Sequence, residues 1–201
     1  MDQNKIMGIE NYKNVHIEFL LEESSMENLL SIILPKILPD GYELNANCFL
    51  RPHQGKSDLK KSIPNKIRLF SDFHIPSKII IIQDQDSNDC IKLKNSLLEL
   101  CRKNGICPVL IRISCRELEN WYLGDMAAIE KVYPKFKAKS HKYKAKFRNV
   151  DNCFGSHELE RIVDKFQKGY ASKNIPKYMD LKKNKSNSFN QLISGVVKFL
   201  G

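Results

Sequence analysis

Four isoleucines run into a pair of carboxylates in KIIIIQDQDSND, residues 78–89. In extended chain, residues i and i+2 face the same side, so Asp84 and Asp86 would converge. Two adjacent carboxylates repel, and one holds a proton unless a cation lies between them. Carboxylates are hard oxygen ligands suited to Mg²⁺ or Mn²⁺. Glu22 and Glu23, in FLLEESS, form a second acidic group, and Glu117, Glu119 and Asp125, in SCRELENWYLGD, a third beside the only tryptophan, Trp121. Of these last, Glu119 is the preferred candidate to complete a metal site or act as a base. The bland alternatives are Asp86 as a helix cap with Asp84 exposed, and acids that complement a helix dipole. A calcium loop is excluded: Asp89 stands where its glycine is needed and Asn95 where its bidentate glutamate is needed.

Residues suited to phosphate accompany the acids. In FLRPHQGKSDL, Gly55 permits close backbone approach and Lys56 can meet a phosphate, although no Walker A spacing is present. In KFKAKSHKYKAKFR, Lys135, Lys137 and Lys139, then Lys142, Lys144, Lys146 and Arg148, recur at period two. If extended, they present basic faces interleaved with Phe136, Tyr143 and Phe147, which can stack on bases. The alternative is a solvated loop. Lys185, in the polar turn NKSNSF, extends the basic set. Residues 131–185 hold 16 Lys/Arg against 5 Asp/Glu, whereas the whole chain carries +10, so the remainder is near neutral. That asymmetry suits a nucleic-acid surface. No Ser-His-Asp or Cys-His arrangement supports a nucleophilic side chain.

The elements that must position these groups alternate. Strand-like segments at 14–21, 42–50, 78–83 and 108–114 are separated by helical periodicity after Ser24, after Gly55 and over 88–105. The expectation is an α/β fold, a Toprim/Rossmann-like, mostly parallel four-stranded sheet flanked by helices. Residues 1–130 would form the core and 131–201 a basic, mainly helical C-terminal extension packed on it. Residues 116–134 read as a helix in two pieces, 157–170 and 188–201 as helices. The start lacks an apolar secretory segment and no run is long enough to span a bilayer. Six cysteines without C-x-x-C spacing read as reduced thiols. A cytoplasmic protein is expected.

Glu22 and the Asp84/Asp86 pair together resemble the Toprim domain, which has a glutamate ending its first strand and a D-x-D ending a later one. Over nearly the whole chain, FLLEESSMENLLSIILPKILP, HQGKSDL, QDQDSNDC, RELENWYLGD and NKSNSF, in that order, resemble the domain-of-unknown-function family 4276. The resemblance implies a Mg²⁺-dependent (or Mn²⁺-dependent), Toprim-like nuclease for DNA or RNA. It also implies an ABC/AAA-type ATPase partner in bacterial defence, as for the overcoming-lysogenisation-defect nucleases. Glu22, Glu23, Asp84 and Asp86 would then hold metal, with Glu119 assisting, and Lys56 and the basic segment would hold the backbone. Many Toprim enzymes have glycine after the catalytic glutamate; Glu23 stands here, leaving Glu22 and Glu23 as alternative ligands. Two other readings compete: a non-catalytic metal- or nucleic-acid-binding subunit of that ATPase, and a haloacid-dehalogenase-type phosphohydrolase with Asp84 as nucleophile.

Overall fold

The computed structural model describes residues 13–201. Among these residues four strands, β1 (His16–Leu21), β2 (Cys48–Pro52), β3 (Ser77–Asp84) and β4 (Val109–Ser114), form one sheet in the order β2-β1-β3-β4. Every pairing is parallel, with Leu21 beside Ile82 and Asp84 beside Ser114. This is the α/β architecture expected from alternating elements, and β3 is buried as parallel strands are.

Helices cover both faces. Helices α2 (Lys56–Ser71) and α3 (Cys90–Arg102) pack Leu59, Ile63, Ile67, Leu93 and Leu97 against Leu20, Ile79 and Ile81. The opposite face takes Ile17, Phe19, Leu21, Ile80 and Ile82. There they meet α1 (Ser24–Ile33), α4 (Glu119–Leu123), α5 (Met126–Val132), α6 (Gly155–Ile162), α7 (Lys168–Asn174) and α8 (Asn187–Leu200). Phe136, Phe147, Leu159, Ile175, Phe189 and Val196, all beyond residue 130, share this core with β1 and β3.

Three local expectations fail for physical reasons. The alternating stretch 42–50 becomes a strand only from Cys48. Before it the chain turns, with Asn45 at φ 65° and Asn47 accepting from the Glu43 amide and donating to the Lys13 and Gly41 carbonyls. The segment 135–148 is not extended, so its period-two basic faces do not form. Short 3-10 turns at Ala138–Ser140 and Ala145–Phe147 bury Phe136, Ala138 and Phe147 instead. The helix read over 157–170 breaks between α6 and α7, where Val163 is extended and Lys165 takes φ 55°.

A buried polar clamp fixes α4 against α8. Asp151 accepts from the Ser186 hydroxyl at 2.6 Å and the Ser188 amide at 2.8 Å, and the Trp121 indole donates to the Ser188 hydroxyl at 2.9 Å. Asn184 donates to the Trp121 carbonyl, and a Cβ on Gly124 would meet its side-chain oxygen at 1.9 Å. The polar turn NKSNSF is therefore largely a buried joint with RELENWYLGD. Asp151→Ala strands two hydroxyls and an amide; it is expected to cost about 2–4 kcal/mol in urea denaturation.

Candidate acidic site at the sheet edge

Ligands of open α/β sheets bind beyond the carboxyl ends of strands where the strand order reverses. Here that point lies between β1 and β3: the chain leaves β1 toward β2 and leaves β3 toward β4. Glu22 follows β1 and Asp84 ends β3, so the two flank the reversal. They touch directly, the Asp84 amide donating to Glu22 Oε2 at 3.1 Å.

The strand run explains why these acids are buried. Asp84 is the last residue of β3 and only 8% exposed; Glu22 is 9% exposed. Among the described residues Asp84 Oδ1 has no hydrogen-bond partner, and neither has the hydroxyl of Ser114, its register neighbour on β4. Burial, followed by the charges of Glu22, Glu119 and Glu23, pushes the Asp84 carboxyl well above the usual range, and a Leu118 amide offsets this only in part. Glu22 is also raised, chiefly by burial, against the lowering pull of the Asp84 amide and the Lys56 charge.

Glu119 joins from the start of α4. It is 2% exposed and raised by burial, which the Lys168 ammonium at 3.6 Å partly counters. Burial alone would lower Lys168, but Glu119, Glu117, Glu23 and Asp84 outweigh it and hold Lys168 above its ordinary value. Glu22, Glu23, Asp84 and Glu119, expected from the sequence, thus form one electrostatic cluster. Glu23 itself stands at the N-cap of α1 and accepts from the Ser25 hydroxyl.

Asp86 is placed differently from its neighbour. The strand ends at Asp84, and Asp86 takes a left-handed φ of 50°, its amide donating to the Arg116 carbonyl at 2.8 Å. The extended geometry that would align Asp84 with Asp86 is therefore absent. Asp86 instead pairs with Lys56. Lys56 opens α2 just after Gly55, whose φ of 94° favours glycine and whose amide donates to the Glu22 carbonyl at 2.9 Å. The basic end of α2 thus closes one side of the cluster.

Other acids have structural partners. Glu117 accepts from the Ser156 amide at 2.8 Å and from its hydroxyl, holding α6. Asp125 caps α5 through the Ala128 amide and accepts from the Asp180 amide at 2.7 Å. Sequence reasoning missed Tyr122. It is fully buried, its hydroxyl lacks a partner among the described residues, and burial with the charges of Glu119, Asp84 and Glu23 holds its phenol well above its ordinary value. It also missed Glu18 on β1, buried on the α2 face and bound by Arg51, Lys66 and His16.

Of the basic residues, Lys146 pairs with Glu158, and Lys137 lies 3.9 Å from Glu130. Lys144 and Arg148 are exposed. Lys139, Lys142 and Lys185 line a shared cavity.

The described cysteines are unpaired, and burial pushes the Cys48 thiol up to about 12. Among the described residues no helix is long and apolar enough to cross a membrane.

The acidic residues suit a hard cation in kind: buried carboxylates, one oxygen without a partner, and mutual repulsion that a divalent charge would relieve. Among the described residues no three His, Cys, Asp or Glu side chains already converge on one point. Mg²⁺ does not require that, since it keeps several waters and uses one or two protein carboxylates. No curated protein and no solved structure matches the chain. Residues 21–196, which include every acid of the cluster, match the family described as "Domain of unknown function (DUF4276)", and the chain belongs to that family.

Proposed function

We propose that this protein is a metal-dependent phosphodiesterase acting on DNA or RNA, with Mg²⁺ or Mn²⁺ at the acidic edge of the sheet. The observation that carries this reading is the Glu22–Asp84 contact at the point where strand order reverses, with an unpartnered carboxyl oxygen and Glu119 in electrostatic reach. Glu22 and Asp84 would hold the cation, with Glu119 or Glu23 beside them. The bound cation would polarise a phosphodiester and lower the pKa of an attacking water. Lys168 would be freed to meet phosphate oxygens once a cation takes up Glu119, and Lys56, paired with Asp86 at the start of α2, stands beside the same edge. Glu119, its carboxyl raised by burial, is a candidate to hold or pass a proton. The Toprim resemblance agrees with these positions for Glu22 and Asp84. The ATPase partner, the defence role and a cytoplasmic location rest on sequence resemblance and composition.

A second reading has its own support. Lys56 on Asp86 and Lys168 on Glu119 already neutralise two acids, as a non-catalytic subunit would require. The two readings differ in response to cation. Saturating Mg²⁺ or Mn²⁺ is expected to raise Tm by about 5–10 °C, as a ligand at about 100 times its Kd does for a domain of this size. Glu22→Gln should remove most of that shift. A Tm indifferent to both ions in the wild type would sink the cation site and favour the lysine-neutralised cluster.

A further inference from the structure

A cavity of about 300 Å³ lies at the far end of α4 from Glu119, about 7.5 Å along the helix axis. Its apolar floor includes Leu123, Met126 and Phe147, and Lys139, Lys142, Lys183 and Lys185 stand around it. Two of these lysines come from the turns after α5 and two from the segment before α8, some 40 residues later.

Among the described residues three of the four ammonium groups face no acid, and the Lys185 ammonium reaches only the Lys142 carbonyl, at 3.5 Å. Lys139, Lys142 and Lys185 have no carboxylate in ion-pair distance among the described residues; Lys183 lies 3.6 Å from Asp180. The Lys185 amide donates to the Gly124 carbonyl at 3.0 Å, and its neighbours Asn184 and Ser186 are buried in the clamp. The acids lining the cavity are committed elsewhere. Asp125 accepts two amides, and Glu130 faces the Ala138 amide and Lys137. Tyr143 is 76% exposed, with Lys142 Nζ 4.7 Å from its ring centre. Lys142 foremost, then Lys185 and Lys139, hold its phenol below its ordinary value.

We propose that this cavity binds a terminal phosphate group, either the phosphorylated end of a nucleic-acid strand or the phosphates of a free nucleotide. Several ammonium groups around one concavity match a phosphomonoester or oligophosphate, which carries more charge per volume than a backbone diester. A volume at the small end for ligand sites admits a chain end and excludes a continuous duplex. Tyr143 offers a face on which an adjoining base can stack. The site stands apart from the acidic cluster and requires neither cation nor cleavage.

The test is binding in EDTA, which keeps it independent of hydrolysis. Fluorescence anisotropy would compare short single strands with 5′-phosphate, 3′-phosphate or only hydroxyl ends. A phosphorylated end is expected to bind about tenfold tighter. Lys139→Gln/Lys185→Gln should erase that preference, and Lys92→Gln/Lys94→Gln, exposed lysines on α3, should retain it. Calorimetry with inorganic pyrophosphate and a nucleoside triphosphate forms the second arm. Saturable binding lost in Lys139→Gln/Lys185→Gln, without end preference, assigns the cavity to a free nucleotide. No end preference together with no pyrophosphate or triphosphate binding overturns the proposal, as does equal loss in both double variants.

Discussion

Asp84→Asn is expected to stabilise the cation-free protein at pH 7 by about 1–3 kcal/mol while lowering metal-dependent cleavage by more than about 100-fold. The opposite signs follow from one cause. Burial and three neighbouring carboxylates disfavour the charged form of Asp84, so its pKa rises on folding. A raised carboxyl contributes stability that is fully present below its unfolded pKa, near 4, and lost as pH rises toward its folded value. Asparagine keeps the shape, cannot ionise and escapes that loss. The gain should therefore grow as pH rises above about 4 toward the raised folded value and be small at the acid end. Thermal melts across that range, beside a cleavage assay, separate this account from a structural one. A residue kept for packing or hydrogen bonding would lose stability on substitution at every pH.

Glu18 should behave in the opposite manner. Burial alone raises its pKa, but hydrogen bonds from Arg51, Lys66 and His16 outweigh it and hold the carboxyl below its ordinary 4.5. Its contribution is present above 4.5 and lost as pH falls through the depressed folded value. Glu18→Ala leaves Arg51 and Lys66 without their shared partner between β1, β2 and α2. The expected cost is about 3 kcal/mol at pH 7, discounted from the largest buried-pair losses because both cations are partly in water. Urea titrations at pH 7 and pH 3 check this. The gap between wild type and Glu18→Ala should narrow at pH 3, and a gap independent of pH would mean the side chain acts by packing alone.

The periodic part of the chain was legible from sequence. KIIIIQD could only be a buried strand, and a parallel sheet then placed Asp84 and Glu22 at the same edge. Distances along the chain hid the rest. Glu119 and Lys168 meet across 49 residues, and Glu18 finds Arg51 only through the register of β1 with β2. Asp86 departed from the two-residue rule because the strand stopped two residues earlier than the pattern required. NKSNSF read as a polar turn from its composition, yet Asn184, Ser186 and Ser188 are buried with Asp151 satisfying two of them. The lysine run read as a strip because its spacing is two. Its buried Phe136 and Phe147 force turns that gather Lys139 and Lys142 beside Lys185 and leave Lys144 and Arg148 apart.

The most direct measurement is cleavage of supercoiled plasmid, single-stranded DNA and total tRNA by wild type and Asp84→Asn, each with Mg²⁺, Mn²⁺ or EDTA. Cutting of at least one substrate that needs the divalent ion and is lost in Asp84→Asn is the predicted result. Cutting in EDTA, or equal cutting by Asp84→Asn, would contradict a catalytic cation at the Glu22–Asp84 edge.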